Sequence, residues 1–218
     1  MRETFHAELV ELRALLAKMC ERAAVAMRQA TDALLSADLD AAKRVLAEDA
    51  ELDGMRDQCE ERAQQMLALQ APVATDLRIV LSAIYCAEKI ERMGDLAEHI
   101  AQTTCRAHPN HVVPPELRDT FDRMGTITAG MAAQLVTHVT DPCAGAFAEL
   151  ETTDHEVDDL HAQVLAAVTA DTWPHDIPTA TTLALLARFY ERYADQAVST
   201  AKRVEFVSTG TTPTHPTT

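Results

Sequence analysis

The sequence predicts an all-α protein: a tandem repeat of two three-helix bundles made of six long helices. Three observations carry that reading. Glycine is scarce, at 6 of 218 residues, and proline falls only at breaks between long amphipathic stretches, as expected where helices run uninterrupted. Aromatics are only 4% of the chain while hydrophobic residues are 47%, so the core must rest on Ala, Leu, Val, Ile and Met, which suit close-packed helices better than strands. Short motifs also recur in the same order about a hundred residues apart.

The first 71 residues contain no proline, but Ser36-Ala37-Asp38 offers a break and a helix N-cap. Helices are expected over 3–36 and 38–70. Pro72 opens the next, over 73–107. Pro109, Pro114 and Pro115 then mark a connector, followed by helices over 115–140, 142–170 and 177–207, separated by Pro142 and by Pro174 and Pro178. A 35-residue helix is about 52 Å long. This gives a first unit over 1–110 and a second over 111–208. The Thr/Pro-rich stretch 209–218 is low in complexity and is expected to be a disordered tail.

The second unit echoes the first. Glu91-Arg92-Met93-Gly94-Asp95 recurs as Glu191-Arg192-Tyr193-Ala194-Asp195, a shift of 100. Asp49 and Asp53 recur as Asp154 and Asp158, and Leu12 and Met19 as Leu117 and Met124, shifts of 105. Three matches in one order point to internal duplication.

Net charge is −15, from 34 acids against 19 bases, with no run of Lys or Arg. That argues against nucleic acid as a partner and against direct adhesion to an anionic membrane. No stretch reaches the length and apolarity of a transmembrane helix, and the N-terminal residues enter charged amphipathic sequence at once, without the apolar core of a signal peptide. A cytoplasmic location is expected. The five cysteines (Cys20, Cys59, Cys86, Cys105, Cys143) form no Cys-x-x-Cys and read as free thiols of a reducing compartment.

The chemically informative feature is acidic. At the 3-4 spacing of a packing seam, the third helix reads Leu77, Leu81, Ile84, Glu88, Glu91, Asp95, Glu98. Apolar residues give way to four carboxylates, beside the fully apolar set Ala87, Ile90, Gly94, Ala97, Ala101. The second helix interrupts its own stripe with Asp49, Asp53, Arg56 and Glu60. If these helices run antiparallel, Asp49 and Asp53 face Glu91 and Asp95. Clustered carboxylates require neutralisation by protons, arginines or a cation, and their oxygens suit hard or borderline ions such as Mg²⁺, Mn²⁺, Ca²⁺ or iron. An ion-pair network through Arg56 and Arg92, or a simply solvated face, is the alternative. The second unit keeps Asp154, Asp158, Glu191 and Asp195 but has Arg188 for Glu88 and Val198 for Glu98, so its site is expected either to be poorer in metal or to have Arg188 in the metal's place.

Other motifs are thinner. Glu3-x-x-His6 has the spacing of ferritin-like sites, with Asp158-x-x-His161 as a partial second. His108 and His111 lie in the Pro-rich connector and read as solvated, Trp173 as a loop anchor, and Met19, Met27, Met55 and Met66 as core. No Gly-rich phosphate loop, nucleophile elbow or nucleophile–base constellation occurs, which argues against an enzyme.

At these residues the chain resembles the PhoU family, whose hallmark is a tandem three-helix repeat with a Glu/Asp-x-x-x-Asp motif on the third helix of each. Here these are Glu91…Asp95 and Glu191…Asp195. Pro72-Val-Ala-Thr-Asp-Leu-Arg78 is similar to the family's entry into that helix, and Phe206-Val-Ser-Thr-Gly210 to its close. The resemblance covers about residues 1–210 and is nearest the actinobacterial branch. It implies a homodimeric, non-enzymatic negative regulator of phosphate uptake and phosphate-starvation signalling. Its implied partners are the ATPase subunit of the phosphate ABC transporter and a PhoR-type sensor histidine kinase, with membrane association only through them. It also implies a metal cation (iron, Mn, Mg or Zn) at Glu91, Asp95, Glu191 and Asp195, faced by Asp49, Asp53, Asp154 and Asp158. The alternative function is a ferritin-like metal-storage bundle, and a metal-free scaffold is a third.

Overall fold

The computed structural model describes residues 2–214, and the side chains of 5–214. Six α-helices follow in order: α1 (Arg2–Ser36), α2 (Leu39–Gln70), α3 (Ala74–Ala107), α4 (Arg118–Thr140), α5 (Ala146–Val168) and α6 (Ile177–Thr209). Among the described residues there is no strand, and a short 3₁₀ turn, Pro115–Leu117, leads into α4. The all-helical, six-helix architecture is the one the sequence predicts.

Local chemistry sets the boundaries. Asp38 caps α2 by accepting from the Ala41 N–H at 2.9 Å, and Asp176 caps α6 by accepting from the Thr179 N–H at 2.9 Å. Pro178 sits in the first turn of α6, where a missing N–H costs nothing. Gly210 closes α6 in the left-handed conformation, φ 74°. The fifth helix starts at Ala146, not at 142 as expected. Gly145 adopts φ 97°, and the Glu205 carboxylate of α6 accepts from the backbone N–H groups of Gly145 (3.1 Å) and Phe147 (3.0 Å). That cap comes from a distant helix, so local sequence does not reveal it. The fourth helix likewise begins at Arg118 because Pro115 and its neighbours form the 3₁₀ turn first.

Consecutive helices within each repeat run antiparallel. Arg22 meets Glu51 and Arg62 meets Glu11 across α1 and α2, and Arg123 meets Glu156 across α4 and α5. The two repeats share one hydrophobic core drawn from all six helices. Within it, α1 packs on α4 and α3 on α6, while α2 and α5 lie outside them, against α1 and α3 and against α4 and α6 respectively. Met19, Met27, Met55 and Met66 are all core residues, as are the repeat partners Leu12 and Leu117, Met19 and Met124.

Two close approaches fix the arrangement. A Cβ on Gly125 of α4 would lie 2.4 Å from the Thr31 hydroxyl and 2.8 Å from the Thr31 Cβ of α1, so glycine is required there. Thr31 in turn donates to the Met27 carbonyl at 2.9 Å and shares a 3.0 Å hydrogen bond with the Tyr190 hydroxyl of α6. Beside it, Arg28 ties α1 to α4 through Asp122 and Thr126, each at 2.9 Å. Three helices are thus locked at one level by polar groups that satisfy one another.

Cys20, Cys59 and Cys86 are buried, Cys105 is half-buried and Cys143 exposed, all as free thiols. Trp173 packs against the core from the α5–α6 loop. No helix among the described residues is long and apolar enough to cross a membrane. The expected disordered tail falls partly on residues 215–218, outside the described residues; Thr212 lies beside α3 and α6.

Candidate functional site: two carboxylate clusters

The first cluster lies between α2 and α3. The buried stripe of α2 is Ala42, Val45, Leu52, Met55, Cys59, Ala63 and Met66. Asp49 and Asp53 sit on its edge, half-buried. On α3 the buried stripe includes Ala87, Ile90, Met93, Gly94 and Ala97, and Glu91, Asp95 and Glu98 lie beside it, also half-buried. Gly94 brings the two helices together at this point. A Cβ there would fall 2.4 Å from Leu52 Cδ2 and 3.4 Å from Asp49 Oδ1.

The crowding is visible in the protonation equilibria. Asp49 is pushed up from 3.8 to about 6, first by burial and then by the negative charges of Glu98, Asp53 and Asp95, with His99 opposing. Glu91 is pushed up from 4.5 to about 7, again first by burial, then by Asp95, with Arg56 opposing. Arg56 donates to Glu91 at 3.2 Å and to Asp57 at 2.8 Å, and Arg92 donates to Asp95. These arginines therefore moderate the repulsion without cancelling it. His99 donates from Nδ1 to the Asp95 carbonyl at 2.6 Å and lies against Phe189 of α6, ring centroids 5.3 Å apart.

The second cluster is its repeat counterpart between α5 and α6. Asp154 is pushed up from 3.8 to about 7 by burial, then by Asp158, Asp195 and Glu191. Glu191 and Asp195 are also raised, chiefly by burial, with Arg188 opposing in each case. Arg188, which stands where the first repeat has Glu88, forms an ion pair with Glu191. Asp154 Oδ1 and Glu191 Oε2 are buried without a hydrogen-bond partner among the described residues. Such orphaned oxygens call for a proton or a cation.

The structure thus brings together all eight residues singled out in the sequence, four in each cluster. It leaves Glu88 on an exposed face of α3, outside the cluster, because the seam through 77, 81, 84 and 88 is the edge of the packed surface. Glu98 and His99, absent from that set of eight, both act on Asp49. Glu98 was legible in the 3-4 spacing, whereas His99 had no signal. No three His, Cys, Asp or Glu side chains among the described residues stand in position to share an ion. Arg56, Arg92 and Arg188 instead hold Glu91, Asp95 and Glu191 in ion pairs. The ferritin-like spacing gathers nothing comparable: His6 is exposed, the Glu3 side chain lies outside the described residues, and His161 lies near Asp158 and Arg188.

Two copies of this helical unit, each carrying its acids at the same register, match one family profile twice. The PhoU domain matches residues 16–104 and again 121–204. The chain belongs to the PhoU family. A Mycobacterium tuberculosis protein, "Phosphate-specific transport system accessory protein PhoU homolog 2", is 41% identical over 98% of this chain and 100% of its own length. Its "homolog 1" from the same organism is 42% identical over 98% of this chain and 97% of its own. These PhoU relatives fit the actinobacterial likeness. In fold, the crystal structure of the phosphate transport system regulatory protein PhoU from Streptococcus pneumoniae superposes with a TM-score of 0.87 at 23% identity, over 97% of this chain and all of that one. PhoU from Pseudomonas aeruginosa gives 0.85 at 23% identity, over 95% of this chain and all of that one.

Proposed function

We propose that this protein is a cytoplasmic accessory regulator of phosphate transport. It acts by binding and not by catalysis, lowering phosphate uptake and starvation signalling when phosphate is plentiful. The observation that carries this reading is the likeness, at 41% and 42% identity and nearly full length, to two mycobacterial proteins named as accessory to phosphate-specific transport. The partners proposed are the ATPase subunit of the phosphate ABC transporter and a PhoR-type sensor kinase, with membrane association only through them. A homodimer is part of the same proposal. A net charge of −15 would steer the protein toward basic patches on such partners, and that steering weakens with salt. Exposed apolar residues at the α2–α3 corner, Leu69 and Val73, and along α3, Leu81 and Tyr85, offer helix-face contacts of the kind other helices dock on.

The carboxylate clusters are proposed to hold a cation such as iron, Mn²⁺, Mg²⁺ or Zn²⁺. The donor set fits hard or borderline ions, and the raised protonation of Asp49, Glu91 and Asp154 together with two orphaned oxygens supports an unmet demand for positive charge. The residues would be Asp49, Asp53, Glu91 and Asp95 in one cluster and Asp154, Asp158, Glu191 and Asp195 in the other. A bound ion would supply charge neutralisation between helices, and Glu91, Asp95 and Glu191 would exchange their arginine contacts for it. Arg188 makes the second cluster the weaker one.

The test of the regulatory role is genetic and biochemical. A strain lacking this gene and any second copy should express phosphate-starvation genes in phosphate-rich medium. The tagged protein should retain the transporter ATPase subunit on affinity capture. Normal repression in that strain would overturn the regulatory role, and a metal-handling bundle would then be the better account.

A further inference from the structure

We infer that the cleft between α3 and α6 near the C-terminal end of α6 is a binding site for a small phosphorylated anion carrying more than one negative charge. The cleft has a volume of about 220 Å³ and is lined by Tyr85, Lys89, Ser199, Lys202, Arg203 and Phe206 among others. Three cations thus meet in one cleft of a protein with 34 acids and 19 bases, and no Asp or Glu among the described residues lines it.

The cations are uncommitted. None of Lys89, Lys202 and Arg203 forms an ion pair among the described residues, whereas seven other arginines do. Two rest on aromatic faces instead. The Arg203 guanidinium lies 4.4 Å from the centroid of the half-exposed Tyr85 ring, and the Lys202 ammonium 5.3 Å from that of Phe147. A cation on an aromatic ring is held more weakly than one on an oxyanion, so both are available for exchange. Ser199 is exposed and adds a hydroxyl donor. The nearest acids along the two helices, Glu88 and Glu205, do not line the cleft, and Glu205 is engaged by the Gly145 and Phe147 N–H groups; charge farther than about 10 Å is screened at ordinary salt.

The internal repeat supplies a comparison within the same chain. Shifting by 100 turns Tyr85, Lys89, Arg203 and Phe206 into Leu185, Phe189, Thr103 and Arg106. Those four residues line the corresponding cleft at the other end of the α3–α6 contact, of about 420 Å³. There the cations are replaced by Phe189 and Thr103, and Arg106 is bonded to Gln102 at 3.2 Å. The fold therefore makes both clefts, and only one is furnished with a cluster of free cations. Three positive charges and room for more than one tetrahedral group match a phosphoanhydride or phosphate ester better than a single carboxylate. The site stands on its own residues and does not rest on the regulatory role.

Isothermal titration of the metal-stripped full chain with pyrophosphate tests it, in parallel with sedimentation on vesicles containing phosphatidic acid. Metal stripping prevents pyrophosphate from bridging to ions at the carboxylate clusters. The expected result is saturable one-to-one binding of pyrophosphate. The Lys89→Ala/Arg203→Ala double variant should weaken it at least tenfold, and Arg106→Ala in the companion cleft should leave it unchanged. Binding to vesicles alone, lost in the double variant, would assign the phosphoryl group to a lipid headgroup. No saturable binding to either probe, or equal binding by wild type and the double variant with both shown folded by circular dichroism, overturns the site.

Discussion

Arg56 of α2 donates to Glu91 of α3 at 3.2 Å, yet Glu91 holds its proton up to about pH 7. An ion pair ordinarily lowers a carboxyl's pKa. Here burial and the neighbouring Asp95 outweigh the arginine, which also serves Asp57. The cluster is consequently short of positive charge at neutral pH, and that shortfall has measurable consequences.

Metal-free protein should become more stable as pH falls from 8 toward 5.5. Asp49, Glu91 and Asp154 have folded values raised to about 6, 7 and 7 from 3.8, 4.5 and 3.8. The folded state therefore binds these protons more tightly than the unfolded chain. The resulting stabilisation is full below the unfolded values and is lost as pH rises through the folded ones. Thermal midpoints in chelator at pH 8, 7 and 6 should rise in that order. The Asp49→Asn/Glu91→Gln/Asp154→Asn variant should flatten the rise, which separates the clusters from general repulsion among surface acids. A wild-type midpoint that falls over the same range would contradict the account.

Metal should change the response of Asp95→Asn in sign. In chelator the substitution removes a negative charge that acts on both Asp49 and Glu91, so the midpoint should rise. With a bound cation the same change removes a ligand, and the stabilisation that binding gives the native state should shrink. Thermal midpoints of both proteins with Mn²⁺, with iron and with chelator decide this. Identical wild-type midpoints in all conditions would leave the clusters as ion-pair networks only.

How much of this was legible in the sequence differs by level. The helices and the repeat were readable because proline placement, the Asp38 cap and in-register motifs are local signals. The pairing of Asp49 and Asp53 with Glu91 and Asp95 followed from assuming that consecutive helices run antiparallel. Features that depend on distant partners were not readable. The start of α5 is set by Glu205, 60 residues away from Gly145. The reach of His99 to Asp49, and the packing of α1 on α4 that makes the two repeats share one core, likewise leave no local pattern.

The cap on α5 offers a test of that long-range control. Glu205→Ala removes the acceptor for the Gly145 and Phe147 N–H groups while leaving the α6 core positions Val204 and Val207 intact. The expected loss is about 1 kcal/mol, in the range of N-cap deletions. Hydrogen exchange should quicken in the first turn of α5 more than elsewhere. Unchanged exchange at 146–149 would mean that the cap carries no stability.

Two tyrosines three residues apart on α6 should respond in opposite directions to loss of the hydroxyl. Tyr190 and Tyr193 are both fully buried. The Tyr190 hydroxyl shares a 3.0 Å hydrogen bond with Thr31 of α1, so Tyr190→Phe loses that bond and should cost about 1 kcal/mol. The Tyr193 hydroxyl has no hydrogen-bond partner among the described residues and lies near the buried Cys20 thiol. Burying an unpaired hydroxyl is unfavourable, so Tyr193→Phe removes a desolvation cost without losing a contact and should raise stability by up to about 1 kcal/mol. Both substitutions keep the ring, so cavity effects are minimal and each measurement isolates its hydroxyl. Chemical denaturation of the two variants beside wild type gives the signs directly. Destabilisation by Tyr193→Phe comparable to that by Tyr190→Phe would show that the Tyr193 hydroxyl is satisfied in solution, for instance by a buried water, and the polar lock at Thr31 would then no longer distinguish the two positions.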